Sequence, residues 1–568
     1  MLNKSTIIQL EDIKIDLFEY IDKNSDILKK QYLNIVFEIS NLKINKQSFR
    51  KSLEYNGHSL WEMSLVHEKN IYKNEYIFKT IKYLALKTII SKNSNKKIKI
   101  TSLEKDLENI LKKNFTNLSI EFEKSHLSLR EKFKNILLKN ILFNHIYFLY
   151  FFLKNCNFSK IKDIKFSKKK YIIFSYFTHY DSLKFSNKVF YPKQWSNLWE
   201  ILSENKNFLQ LFLPNKKFKF FYQIKNFIIK KKIENLNYKN FLNTNIYFEY
   251  YNLIKRDFKK LMLKINFNEI ENLFKDNKNY EFFFKINKEL FISSFSGYTL
   301  LQNLLWIKLF DNVLSNIPKH DYGIFLYENQ PWEKALITSW KKFQNGKLIG
   351  YSHTTINYWH LNYFNDPNYN LSEDFEKYSP NLIAVSSEIS KNFLIKQSIK
   401  PEKIIEVEAL RYLWILEKSK KKLENKNKKI LFLGDYKEST NKKLLNVLND
   451  SKLDLINSGF ELSFKSHPAK SIKIFDTRIN LINEDLESLV DKYQYVVSSN
   501  TTSAIIEVLS CGINTLLFKD KNNFDLSPLK NTIIEKEINF FYSKQDFLNK
   551  IMVSKNDVKP IYYYYLDR

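Results

Sequence analysis

The chain has 568 residues, 44% of them hydrophobic, with Lys+Arg 91 against Asp+Glu 61 and a formal net charge of +30. This length is too great for one core, so two or more domains are expected, and the apolar content is enough to bury them. The chain lacks zinc-finger spacing, an RNA-recognition signature and repeats, so the basicity identifies no nucleic-acid module.

The charge has two readings. A net positive surface suits nucleic acid or an anionic membrane. The chain is also rich in Lys, Asn, Ile, Phe and Tyr, with only 8 Gly and 10 Pro, a bias that an AT-rich genome produces without selection for charge. The two cysteines, Cys156 and Cys511, are far apart and have no metal-ligand spacing. A reducing compartment follows from that, and Cys511 falls on an apolar helix, where it reads as core. The opening MLNKSTIIQLEDIKIDLFEYI alternates acids with apolar residues and lacks the features of a signal peptide, so a cytoplasmic location is expected.

Residues 1–50 read as an N-terminal helical extension. From 58 to 91 the apolar residues fall at helical spacing. KKIKITS, 96–102, alternates as a strand, an amphipathic helix follows, and an α/β domain is expected to begin here. Residues 116–170 interrupt it as a helical insertion. Within it Asn140 to Leu153 is an uncharged run of 14 residues flanked by lysines. That is shorter than the roughly 20 residues a spanning helix needs. It reads either as a buried core helix or as a peripheral helix on the inner face of an anionic membrane.

YIIFSYFTHYD, 171–181, is a buried-type strand with polar residues at its tip. DYGIFLYEN, 321–329, is a strand, PWEKALITSWKKF a helix with proline at its first position, and GKLIGYSHTT, 346–355, the next strand. LIAVSSEISKNFLIKQ and KIIEVEALRY continue the alternation. A first Rossmann-like domain is therefore expected over 51–416, with a charged linker at 417–429. A second is expected over 430–545, and 546–568 reads as a tail. In the second domain ILFLGD, ELSFKSHP, YVVSSN and NTLLFKD are strands alternating with helices. The fold class is α/β, two doubly wound domains facing a cleft.

The strand ends carry the chemistry. His467-Pro468 ends one strand, and Ser498-Ser499 ends another about one βαβ unit later, which places both at the carboxyl ends of neighbouring parallel strands, where ligands bind. Ser498, Ser499, Thr501, Thr502 and Ser503 surround the start of a helix, which suits a phosphate, or in part caps the helix. Gly434 at the end of ILFLGD lets a ligand approach the backbone. His467 can donate a hydrogen bond or proton to a leaving phosphate, with Lys465 and Lys470 nearby. In the first domain Glu328 and His353 end adjacent strands and point at the cleft. Either can serve as general base, while Glu328 could instead cap the helix over 331–343 and His353 could be a satisfied strand-end histidine; Asp181 is a third candidate. Arg411 offers a planar fork to a carboxylate or phosphate, or forms a surface salt bridge. No carboxylate motif or His/carboxylate cluster has metal-ligand spacing, so neither metal nor cofactor is expected.

The His-Pro pair followed by a serine pair resembles the bacterial GT-B glycosyltransferases that use CMP-activated acidic sugars, the sialyl-, polysialyl- and Kdo transferases. The resemblance implies that His467 and Pro468 contact the CMP phosphate, that Ser498 and Ser499 hold it, and that an acid before the serine pair, Glu484 or Glu487, binds the ribose. Those enzymes take their base from an acidic motif in the first domain. Here Tyr327-Glu328-Asn329 is its nearest equivalent and departs from it. YENQPWEKAL, GYSHTTINYWHLNYFNDP, PNLIAVSSE and KIIEVEALRYL together resemble a family of surface carbohydrate biosynthesis proteins, over about 50–530. The expected partners are a nucleotide-sugar donor and a glycan or lipid-linked acceptor, with no nucleic acid. A UDP- or GDP-sugar donor is the first alternative, and a basic, non-enzymatic membrane or nucleic-acid binding protein the second.

Overall fold

A computed structural model describes residues 6–11, 13–116, 120–122, 168–176, 194–202, 205–211, 267–419, 428–467, 470, 472, 476–553 and 560–567. Most of the 116–170 insertion, including the 140–153 run, lies outside the described residues, as do Asp181, Pro468 and most of the 417–429 linker. Among the described residues, three sheets have four or more strands.

The first sheet joins β1 (Ile7–Leu10), β2 (Ile13–Asp16), β3 (Ile98–Thr101) and β4 (Ile120–Phe122) in the order β2-β1-β3-β4. The strand expected over 96–102 is therefore present, but it does not open the doubly wound domain. It pairs antiparallel with β1, so residues 1–50 are not an all-helical extension. Helices Leu17–Lys23, Ser25–Asn41 and Tyr76–Lys92 cover this sheet. Their apolar faces share one core with helices Lys278–Phe295 and Gly297–Asn316 and with the neighbouring domain.

The first doubly wound sheet contains β5 (Tyr171–Tyr176), β6 (Lys206–Leu211), β7 (Tyr322–Leu326), β8 (Lys347–Tyr351), β9 (Leu382–Val385) and β10 (Ile404–Glu406). All pairs are parallel, in the order β6-β5-β7-β8-β9-β10. Its strands are near-continuous apolar runs because both faces are covered by helices. The winding reverses between β5 and β7.

The second contains β11 (Lys429–Leu433), β12 (Glu461–Lys465), β13 (Ile479–Ile482), β14 (Tyr495–Ser499), β15 (Asn514–Phe518) and β16 (Asn539–Phe541), all parallel, in the order β13-β12-β11-β14-β15-β16. The chain runs outward on one side from β11, then returns to β14 on the other. This is the Rossmann order, with its crevice between β11 and β14. The strands ending at His467 and at Ser499 are therefore not neighbours, as their spacing suggested; β11 lies between them, because a doubly wound sheet reverses after its first half. The two sheets give the α/β architecture of two Rossmann-like domains.

The domains are tied together at two places. Phe524 of the second domain packs edge-on against Phe18 and tilts over Phe78, while Lys530 pairs with Asp22 at 2.6 Å. The 560–567 segment leaves the second domain, where the Ile561 N–H donates to the Leu509 carbonyl. It then pairs with the first, where Tyr565 N–H donates to the Ser386 carbonyl. Tyr564 stacks on Tyr412 with centroids 4.1 Å apart and shares a 2.6 Å hydrogen bond with Thr355. The tail is thus a strap across the domain junction.

Candidate active site

The carboxyl ends of both sheets open on one cavity of about 330 Å³. Its first-domain wall includes Glu328 after β7 and Thr354, Asn357 and His360 after β8; the N-terminal module adds Asn70 and Tyr72. Its second-domain wall has Asp435, Tyr436 and Lys437 after β11, His467 after β12, and Thr501, Thr502 and Ser503 after β14. The tips of three adjacent strands, β12, β11 and β14, thus converge at the crevice.

Glu328 faces the cavity with its side chain 33% exposed. It does not cap the helix Pro331–Phe343. Glu333 of that helix's first turn reaches back over the preceding turn, accepting hydrogen bonds from the Glu328 N–H at 3.0 Å and the Asn329 N–H at 2.8 Å. Asn329 takes the left-handed conformation, φ 58°, that turns the chain here, and asparagine tolerates it well. Burial, then the adjacent Glu328 charge, pushes Glu333 well above the usual carboxylate range. The Gln330 amide donates to the other Glu328 oxygen. These bonds from Glu333 fix the Glu328 backbone, while the Glu328 carboxylate lines the cavity.

His353 lies behind Glu328. Its Nε2 is 3.8 Å from Glu328 Oε1, and its buried Nδ1 has no hydrogen-bond partner among the described residues. Burial, with a smaller push from the Arg411 guanidinium, lowers His353 to about 3. A neutral imidazole at this position is a weak base, so Glu328 is the better placed of the two to accept a proton. Arg411 is exposed on a 3₁₀ turn over the Tyr412 ring, 5.4 Å away, and does not line the cavity. It stands near His353 and the second domain's Glu507, and no salt bridge holds it among the described residues.

On the opposite wall the hydroxyls divide into two sets. The Ser498 side chain is fully buried and donates to the Ser499 carbonyl at 2.9 Å. Ser499 and Thr501 both donate to one oxygen of Asp435. The other Asp435 oxygen accepts the Lys437 N–H at 2.8 Å, and Asn441 brackets its backbone from both sides. Asp435 is 3% exposed. Sequence reading stopped at Gly434 and missed this carboxylate; the signal was an acid directly after a buried strand. Thr502 and Ser503 remain on the cavity wall, uncommitted to Asp435. The helix they precede, Ala504–Ser510, has only seven residues. Any anion affinity here therefore comes from side chains rather than a long helix dipole.

His467 stands edge-on to Tyr436, ring centroids 5.8 Å apart. Burial lowers its pKa, opposed by the Asp435 charge. Lys437 is also lowered by burial and raised by Asp435; its ammonium lies 5.6 Å from the Phe78 ring. Gly434 does not line the cavity. A Cβ there would sit 3.2 Å from the His467 nitrogen and 3.3 Å from the Lys465 carbonyl, so glycine lets β11 and the exit of β12 pack closely. Glu484 is on the surface, paired with Lys492 at 3.1 Å, and its carbonyl accepts from Lys465. Cys511 is buried, its thiol pushed up to about 12, as a core residue is. No group of three His, Cys, Asp or Glu side chains among the described residues could hold a metal ion, and no described helix is long and apolar enough to cross a membrane.

No protein-family model and no curated protein matches the chain. Among solved structures it is similar to the UDP-GlcNAc 2-epimerase of Methanocaldococcus jannaschii, at 13% identity over 69% of this chain and 95% of that one, TM-score 0.38. The Neisseria meningitidis UDP-GlcNAc 2-epimerase bound to UDP-GlcNAc shares 12% identity over 67% and 90%, TM-score 0.35. Acinetobacter baumannii MurG shares 6% over 68% and 91%, TM-score 0.33.

Proposed function

We propose that this protein is a metal-independent glycosyltransferase of the GT-B type, which moves a nonulosonic acid or Kdo-like sugar from a CMP donor to a glycan acceptor during surface polysaccharide synthesis. One observation carries the reading: a single cavity at the carboxyl ends of both sheets has a carboxylate, Glu328, on one wall and an imidazole–ammonium–hydroxyl set on the other. Glu328 takes the proton of the acceptor hydroxyl as its oxygen bonds to the anomeric carbon. The bond from that carbon to the phosphate oxygen breaks, and CMP leaves with the electron pair. Lys437, His467, Thr502 and Ser503 offset the charge on the departing phosphate. Ser499 and Thr501 act one step back, through Asp435, and Ser498 supports the turn. Glu484, Pro468 and Gly434 have no direct contact in this scheme. Arg411 is placed to meet an anionic group of the substrate only if that group reaches past Glu328 to His353.

A thermal-shift panel of CMP, UDP and GDP on the full chain tests the donor. Stabilisation by CMP is expected; stabilisation by UDP or GDP alone transfers the reading to that donor. Abolished sugar transfer in His467→Ala, with circular dichroism unchanged, is the expected result for the enzyme class. A variant with full transfer rejects His467. The peripheral inner-membrane location rests on the 140–153 run and its lysine flanks, and absence of co-sedimentation with anionic vesicles rejects it.

A further inference from the structure

The two walls of the cavity differ in charge. Of the Lys and Arg side chains among the described residues, Lys437 alone lines the cavity. With Glu328 and Asp435 the charges lining the cavity among the described residues sum to one net negative. Glu328 follows β7 of the first domain, and Asp435 and Lys437 follow β11 of the second. The wall contributed by the N-terminal module and the loop after β8 is uncharged: Asn70, Tyr72, Thr354, Asn357 and His360.

This wall is organised for hydrogen bonding. Asn70 Oδ1 accepts the Tyr72 N–H at 3.0 Å, fixing the turn, and its amide NH₂ has no protein partner among the described residues. Tyr72 Oη is 3.1 Å from His360 Nε2, which is also 3.1 Å from the Asn357 amide. The Tyr72 and His360 rings meet edge-on at 5.4 Å. Burial pushes His360 down to about 4, so the triad stays neutral across physiological pH. Tyr72 nevertheless leaves 43% of its surface open, and Tyr436 on the facing wall leaves 49% open. Exposed aromatic rings in a cavity beside the Asn70 amide and the Tyr72 phenol suit the apolar face and the hydroxyls of a sugar ring. On this wall a carboxylated sugar would meet no cation.

We infer that Asn70, Tyr72, Asn357 and His360 form a glycan subsite for an uncharged sugar residue, the acceptor end of the transfer. The acceptor label rests on the proposed function; the preference for an uncharged sugar rests on the wall itself. The N-terminal module is thereby part of the binding site.

Saturation-transfer NMR on the full chain tests this with neutral disaccharides (lactose, maltose, chitobiose) against sialyllactose and a glucuronate-terminated disaccharide. At least one neutral disaccharide is expected to bind more tightly than both acidic ones. Tyr72→Ala is expected to weaken it roughly tenfold, the scale of a lost aromatic contact, while the nucleotide-induced thermal shift stays as in the parent. Tyr72→Phe, which keeps the ring, should lose less, and Asn70→Ala provides a second variant on an exposed turn. Binding of no neutral disaccharide overturns the inference, as does equal or tighter binding of the acidic pair, or glycan binding unchanged in both Tyr72→Ala and Asn70→Ala. Glycan binding without any nucleotide stabilisation rejects the transferase and keeps the subsite; the reverse pattern rejects the subsite and keeps the transferase.

Discussion

The Ser499 hydroxyl donates to the Asp435 carboxylate, joining the tips of β14 and β11 across the crevice of the second sheet. A serine that sequence spacing makes a phosphate ligand is thereby committed to an anion of the protein itself. In the proposed scheme the phosphate contacts fall instead to Thr502, Ser503, the Lys437 ammonium and His467, which share the wall.

Ser499→Ala and Thr502→Ala should therefore separate stability from binding. Ser499→Ala removes a buried hydrogen bond to a charged group and should cost about 1–3 kcal/mol in urea unfolding. Thr502→Ala should leave the unfolding midpoint near that of the parent and weaken nucleotide binding about 2- to 10-fold by calorimetry. Equal loss of nucleotide affinity in both would restore the serine to direct phosphate contact.

His467→Gln keeps a hydrogen-bonding side chain and removes proton donation. Transfer should fall about 10²- to 10⁴-fold in kcat, with a much smaller change in the donor KM. The comparison with Glu328→Gln is informative, since that variant should lose kcat to a similar degree while the nucleotide-induced thermal shift persists.

Stability should fall on acidification. His353 and His360 are pushed down to about 3 and about 4 by burial, whereas in the unfolded chain each titrates near 6.5. Below about pH 6.5 the unfolded state therefore binds more protons than the folded one. The contribution is complete above that pH and is lost as pH falls toward the folded values, at up to about 1.4 kcal/mol per pH unit for each group. Melting temperature measured from pH 8 to 4 should drop over this window, and His353→Asn should flatten the drop.

The tie between domains is tested at Asp22. Asp22→Ala leaves the Lys530 ammonium, 5% exposed, without this partner and weakens the pairing to Lys519 as well. A loss of about 1–3 kcal/mol is expected. Small-angle scattering should show a wider cleft if the pair holds the domains closed. On the other face Tyr564→Ala removes a stacked ring and the Thr355 hydrogen bond, and should cost about 3–5 kcal/mol.

Local order is legible in the chain. Apolar runs of four to six residues ending in polar tips, each followed by a helical period, specify parallel α/β units, and Glu328, His353, His467 and Thr501 stood at strand ends for that reason. Pro331 marked its helix start, and Gly434 marked a close approach, although to the His467 backbone rather than to a ligand. Which strands are neighbours is set by the fold as a whole. Parallel backbone pairing carries little trace of partner identity, and the crossover back from β13 to β14 is what places β11, and so Asp435, between His467 and Ser499. The same holds for Tyr72 and His360, which meet across 288 residues of chain, and for Glu333, whose carboxylate holds the backbone of Glu328. Contacts closed over such loops leave no periodicity in the chain to read.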